Sequence, residues 1–171
     1  GDLEIEQFPY AHLEVPLVFL RESGVRFYRN ANSLLVRGGH CYPVDIATGP
    51  YPGINSDMQP LFGVFAAMAR GQSSIVDLRF PGRFGYAEEL VKMGVRCEVG
   101  EMLKIHGSGY LNGAEVVARD LRCGAALLLA GLAAQGTTVI RDAWRSERGY
   151  DRIIEKLRAC GAAIEVTGAQ A

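Results

Sequence analysis

Lysine is scarce in this chain: three of its 18 basic residues are Lys and fifteen are Arg. Charge of one sign is lacking too, since 18 cations face 19 acids for a net −1. That leaves no basic field to hold nucleic acid, and no nucleic-acid partner is expected. Long apolar runs are missing; the longest, about ten residues around Ala125 to Ala134, is half of the roughly 20 needed to cross a bilayer. The N-terminus has neither the basic region nor the apolar core of a signal peptide. No membrane partner is expected, and the cytoplasm is the expected location. Cys41, Cys97, Cys123 and Cys160 are far apart, with no Cys-x-x-Cys pair and no His at zinc-ligand spacing, so no metal is expected. Cys97 on a strand and Cys160 closing a helix read as small buried hydrophobes. Cys123 follows Arg122 near a helix start, where a thiolate is favoured. His12, His40 and His106 are isolated, and none makes a persuasive catalytic base.

What is present is an ordinary interior, 49% hydrophobic and 22% charged, in a chain long enough for one substantial core. The arginine excess has two readings. Genomic base composition accounts for it without function; alternatively, the planar guanidinium is there because it grips carboxylate and phosphate with two parallel bonds, as Lys cannot.

Position along the chain favours looking further. Tyr51-Pro52-Gly53 followed by Ser56-Asp57-Met58-Gln59, then Asp120-Leu121-Arg122, then Arg148-Gly149-Tyr150-Asp151, recur within a repeating strand and helix pattern. Asp57 maps to Asp120 at a shift of 63, Gly71 to Gly136 and Arg83 to Arg148 at 65, and Gly94 to Gly161 at 67. The predicted order in each copy is a small-residue helix (Phe62 to Ala69; Ala125 to Ala134) stopped by Gly71 or Gly136, then a strand (Ser74 to Val76; Thr138 to Ile140) and an Arg-bearing turn. A second helix (Glu88 to Met93; Ile153 to Cys160) is closed by Gly94 or Gly161, and a strand follows (Val95 to Val99; Ala163 to Val166). An earlier copy shows its latter half alone: Val15 to Ser23 before Gly24, then strands Val25 to Tyr28 and Leu34 to Arg37. The expected units are therefore 1–44, 45–110 and 111–171, all in one domain, with the first incomplete. A chain that begins inside a repeat is expected to be a piece of something larger.

A repeat that sets a charged residue at one structural point builds a charged rim suited to a small, multiply charged ligand. Asp57 and Asp120 each stand at a helix start, where a carboxylate either caps the helix or points into a cleft and accepts a proton from a bound hydroxyl. Arg83, Arg122 and Arg148 are harder to read as caps. Cations near a helix N-terminus oppose its dipole, so the partner they call for is an anion.

These residues carry a family resemblance. Tyr51 to Gln59, Gly82-Arg83-Phe84, Gly113-Ala114-Glu115-Val116 with Asp120-Leu121-Arg122, Leu129-Ala130-Gly131-Leu132, and Arg148-Gly149-Tyr150-Asp151 with Glu155-Lys156-Leu157 resemble, in order and spacing, the UDP-N-acetylglucosamine 1-carboxyvinyltransferases over about residues 11 to 166. The sister 5-enolpyruvylshikimate-3-phosphate synthases share the architecture. The resemblance implies an α/β (α+β) fold of repeated βαβαββ units, an inside-out α/β barrel with helices within and sheets outside. It also implies an active site shared with an N-terminal domain that this chain lacks. The implied substrates are phosphoenolpyruvate and UDP-N-acetylglucosamine. Enolpyruvyl moves to the sugar 3-hydroxyl and phosphate is released, in peptidoglycan precursor synthesis, without cofactor or metal. Carried over by position, Asp57 takes the hydroxyl proton, Arg122 and Arg148 bind phosphoenolpyruvate, and Arg83 lies close to the same anion with Asp120 beside it. Arg79 lies against the nucleotide. Gly82 departs from the family's usual Asn, Trp144 to Glu147 is more basic than usual, and the family's loop acid belongs to the missing domain, a role Cys123 does not take. A non-catalytic module that keeps the fold and an anion site is the other reading. The chain alone is expected to be inactive.

Overall fold

In a computed structural model, which describes residues 2–168, the chain opens with β1 (Asp2–Glu6), α1 (Tyr10–Glu22), β2 (Arg26–Arg29) and β3 (Ser33–Arg37). These three strands form an antiparallel sheet in the order β1-β3-β2. The second stretch runs β4 (Asp45–Ala47), α2 (Gln59–Met68), β5 (Arg70–Val76), α3 (Gly85–Lys92), β6 (Arg96–Val99) and β7 (Leu103–Ser108). Its sheet has the order β4-β5-β7-β6, with β4 and β5 parallel and in register Asp45 to Ser74. The last stretch holds β8 (Leu111–Asn112), β9 (Glu115–Val117), α4 (Leu121–Ala133), β10 (Ala134–Gln135), β11 (Val139–Arg141), α5 (Trp144–Glu147) and α6 (Ile153–Ala159). There β11 lies parallel to β9, as β5 does to β4.

The two small-residue helices are the interior. On α2, Pro60, Phe62, Gly63, Val64, Ala66 and Ala67 are buried, and on α4 everything from Cys123 to Leu128 is. They pack on each other, and α2 also covers β7, whose Leu103 and Ile105 alternate inward with the period of two that a one-faced strand shows. Small residues permit this closeness. A Cβ on Gly107 would run into the carbonyl oxygens of Ala66 and Ala69, and one on Gly63 would overlap the buried Tyr86 ring. By contrast α1 buries just Pro16 and Leu17, and α6 buries nothing.

Three helices end alike. Past α1, α3 and α6, Gly24, Gly94 and Gly161 take φ of 85°, 91° and 92°. Each donates back to the carbonyl three residues earlier, while the next residue donates five back, as in Val95 N to Leu90 O at 3.1 Å. This is the left-handed glycine stop that the sequence pattern anticipates there. Gly71 and Gly136 do not play that part. The inner helices end before them, at Met68 and Ala133, where Ala69 and Ala134 turn straight into extended backbone (ψ 156° and 151°). Gly71 already lies inside β5, which begins at Arg70 rather than Ser74. The expected strand over Ala163 to Val166 is not formed either. At the matching place β6 is held at the sheet edge by β7, the strand that follows it. Of the cysteines, Cys160 is exposed and Cys97 half-buried, so the buried reading fails for the first.

Candidate functional site

The turn before α2 is built locally. Asn55 Oδ1 accepts the backbone N–H of Asp57 at 2.9 Å, an Asx turn, and the N–H groups of Met58 and Gln59 donate to the carbonyls of Asn55 and Ser56. The carboxylate of Asp57 is therefore not the cap of α2. It points across a cleft of about 580 Å³ lined by Asn55, Ser56, Asp57, Arg79, Phe80, Arg83, Asp120, Leu121 and Arg122. Two guanidiniums meet it there: Arg122 Nη2 donates to Oδ2 at 2.6 Å and Arg83 Nη2 to Oδ1 at 3.1 Å. The bond from Arg122, with that from Arg83, holds the Asp57 carboxyl below the usual carboxylate range, and Asp57 in turn raises Arg122.

Arg122 occupies the second position of α4, against the helix dipole. What offsets that placement is the Asp57 carboxylate in front of it and the Asp120 carboxylate behind. Asp120 is the cap of α4, its side chain accepting from the N–H groups of Arg122 and Cys123, both at 2.8 Å. Asp57 and Asp120, matched by repeat offset, thus do different work: one faces the cleft through two arginines, the other ends a helix at the cleft wall. Arg79 also lines the cleft, its guanidinium 5.5 Å from the Phe80 ring centre, and Arg83 lies 4.9 Å from the same ring.

Arg148 stands apart from this group. It is exposed at the C-terminal end of α5 and does not line the cleft. A cation at a helix C-terminus is favoured by the dipole, so the unfavourable placement inferred for it from sequence does not exist. The residue of that motif which feels the charges of the cluster is Tyr150. Burial raises its phenol, with the Arg122 cation opposing and Asp57 and Asp120 adding to the rise. Cys123 is buried, and burial pushes its thiol up rather than down, against the expectation of a thiolate. Among the described residues no group of three or more His, Cys, Asp or Glu is placed to hold a metal, and no helix is long and apolar enough to cross a membrane.

The sequence reading missed Asp77 and Glu89, two carboxylates on buried residues, the first of which bonds to residues that line the cleft. Asp77, 1% exposed, directly follows β5 and accepts four hydrogen bonds (Thr48 and Ser56 hydroxyls, Arg79 and Phe80 N–H groups). Glu89 on α3 is fully buried and accepts from Lys92 Nζ at 2.6 Å, the Val117 N–H at 3.0 Å and Arg119 Nη2 at 3.3 Å, fixing the segment that leads into Asp120. The available signal was an Asp closing a β-branched strand just before a turn, and a Glu on the apolar face of a helix.

The result is a layered α/β fold with two inner helices and an arginine-clamped carboxylate between their N-termini. Residues 1–157 match the family described as EPSP synthase (3-phosphoshikimate 1-carboxyvinyltransferase), and the chain belongs to that family. The chain is similar to the UDP-N-acetylglucosamine 1-carboxyvinyltransferase 1 of Caldanaerobacter subterraneus subsp. tengcongensis, with 42% identity over 166 residues, 96% of this chain and 40% of that protein. With its counterpart from Anaplasma marginale it shares 52% over 125 residues, 72% of this chain and 29% of that one. The crystal structure of the enolpyruvyl transferase NikO from Streptomyces tendae superimposes with a TM-score of 0.82 at 30% identity, covering 96% of this chain and 40% of that one. The chain thus spans about 40% of the length of relatives that it matches almost throughout.

Proposed function

We propose that this chain is the C-terminal part of a UDP-N-acetylglucosamine 1-carboxyvinyltransferase acting in cytoplasmic peptidoglycan precursor synthesis. In this reading residues 1–44, 45–110 and 111–171 are the end of one repeat unit and two further units of a single domain. An N-terminal domain of the same enzyme closes the cleft. The observation that carries the reading is the Asp57 carboxylate held by Arg83 and Arg122 in the cleft that they line together. Phosphoenolpyruvate brings a phosphate and a carboxylate, both suited to forked guanidinium donors. Its arrival draws Arg122 and Arg83 off Asp57, and Arg148 approaches from outside the cleft, while Arg79 lies against the nucleotide of the sugar substrate. The freed carboxylate then takes the proton of the sugar 3-hydroxyl as its oxygen bonds to the enol carbon, with the methylene carbon protonated by an acid outside this chain. Loss of a proton from that carbon, with departure of phosphate, restores the enol double bond. Asp120 keeps α4, and with it Arg122, in place.

Phosphate release from phosphoenolpyruvate and UDP-N-acetylglucosamine separates this from a non-catalytic anion-binding module. The full-length gene product is expected to turn over, and the 171-residue chain to match a control without enzyme. A silent full-length product would favour the module, and turnover by the chain alone would refute the need for a second domain.

A further inference from the structure

We propose that Asp77 is a positioning residue of this cleft: its carboxylate ties the turn that carries Asp57 to the turn that carries Arg79 and leads into Arg83. The inference rests on the cleft being the anion and proton-transfer site proposed above. Asp77 Oδ2 accepts from the Ser56 hydroxyl at 2.6 Å, and Ser56 is the neighbour of Asp57. Its Oδ1 accepts from the N–H groups of Arg79 and Phe80, both at 3.0 Å, and from the Thr48 hydroxyl at 2.9 Å. Ser56, Arg79 and Phe80 all line the cleft, whereas Thr48 is buried behind it at the end of β4. Burial works against the charge of Asp77, yet its bonds from Ser56, Phe80, Thr48 and Arg79 outweigh that, and its carboxyl titrates below the usual range. A carboxylate with four donors can hold two loops in fixed relation, which a neutral amide with one carbonyl oxygen cannot do. Asp57 and Arg83 meet at 3.1 Å from opposite loops, so their geometry depends on that tie.

The bonds divide into a cleft side and a strand side, and this makes the role testable apart from folding. In the full-length gene product, Asp77→Asn and Ser56→Ala cut the cleft side, while Thr48→Val cuts the strand side and also frees the Leu78 N–H that Thr48 accepts at 3.0 Å. Phosphate release and melting temperature are measured for each. Misplacement of reacting groups by about 1 Å costs about 10²-fold, so Asp77→Asn is expected to lower kcat by about that factor, and Thr48→Val, at a similar melting temperature, by no more than about twofold. Combining Asp77→Asn with Ser56→Ala is expected to add little to either alone, as for residues acting through one contact. Equal losses of kcat in Asp77→Asn and Thr48→Val at equal melting temperature, or an unchanged kcat in Asp77→Asn, would overturn the proposal. If Asp77→Asn does not fold, Ser56→Ala against Thr48→Val decides in the same way. If the wild type itself releases no phosphate, the transferase reading fails and titration with inorganic phosphate tests Asp77 instead. About tenfold weaker binding in the cleft-side variants, with Thr48→Val unchanged, supports the tie, and equal binding in all three removes it.

Discussion

Replacing Asp57 by Asn separates two consequences of one carboxylate that should move in opposite directions. The side chain is 45% exposed, its bonds to Arg83 and Arg122 at 3.1 and 2.6 Å. Exposed pairs of this kind contribute about 0 to 1 kcal/mol each, which for a domain of this size shifts the melting temperature by a few degrees, about 2 to 4 °C per kcal/mol. Loss of a general base costs about 10²- to 10⁴-fold in turnover, so in the full-length protein kcat is expected to collapse while the fold persists. Anion binding should strengthen. A unit charge 4 Å away is worth about 1 kcal/mol in water and about 4 at an effective dielectric of 20; with Asp57 so exposed the lower end applies, giving roughly fivefold tighter inorganic phosphate once both guanidiniums are free. Wild-type pH dependence carries the same signature. The arginines hold the Asp57 carboxyl low in the empty cleft, so the acid limb of kcat/KM lies below the ordinary carboxylate range. The limb of kcat lies higher, because bound substrate has taken the arginines away. Calorimetry with phosphate and steady-state phosphate release provide both readings. Near-normal turnover in Asp57→Asn, or weaker phosphate binding, would refute the assignment.

Arg122→Lys keeps a charge but loses the fork that spans carboxylate and anion, so phosphoenolpyruvate use in the full-length protein is expected to drop sharply with melting temperature nearly constant. Arg148→Lys, at an exposed helix end outside the cleft, isolates the approach of that residue on closure: unchanged kinetics would exclude it from the bound state. Glu89→Gln is expected to destabilise by about 1 to 3 kcal/mol through poorer satisfaction of the Val117 N–H and of the Lys92 and Arg119 donors. Burial alone would raise the Glu89 carboxyl, but these bonds lower it. Its contribution is therefore full above the unfolded value near 4.3, lost as pH falls through the lower folded value, and absent from the acid unfolding curve of the variant. A wild-type and a variant curve of the same shape below pH about 5 would contradict this.

How legible all this was in the sequence varied with how local the cause is. The glycine stops at Gly24, Gly94 and Gly161 could be read because a left-handed residue after a helix depends on a handful of neighbours. Gly71 and Gly136 were misread as the same device, since each lies a few residues past an apolar helix. What ends α2 and α4 is instead the demand of β5 and β10 for extended backbone, β5 drawn into register by β7 and β10 by β8. Residues 163–166 form no strand for a related reason: β propensity does not make a strand without a partner, and among the described residues they have none, whereas the matching β6 has one.

The cleft divides along the same line. Asp57 and Arg83 were found by repeat offset and Arg122 by its motif beside Asp120, and tertiary structure brings them within bonding distance from positions up to 65 residues apart. The offset that equates Asp57 with Asp120 and Arg83 with Arg148 nevertheless treats copies as equivalent, and a cleft between copies breaks that equivalence. Asp120 starts its helix with a side-chain cap, and Asp57 does not because Asn55 has already closed its turn. Once released from capping, Asp57 can face the arginine that Asp120 holds in place at the start of α4. Asp77 escaped notice because nothing in Ser74-Ile75-Val76-Asp77 distinguishes a carboxylate that turns inward to four donors from one that turns out to solvent. That difference is fixed by Ser56 and Thr48, 21 and 29 residues away. Offsets and short motifs therefore locate charges for this cleft, while long-range hydrogen bonds decide which of them are left free to meet an anion.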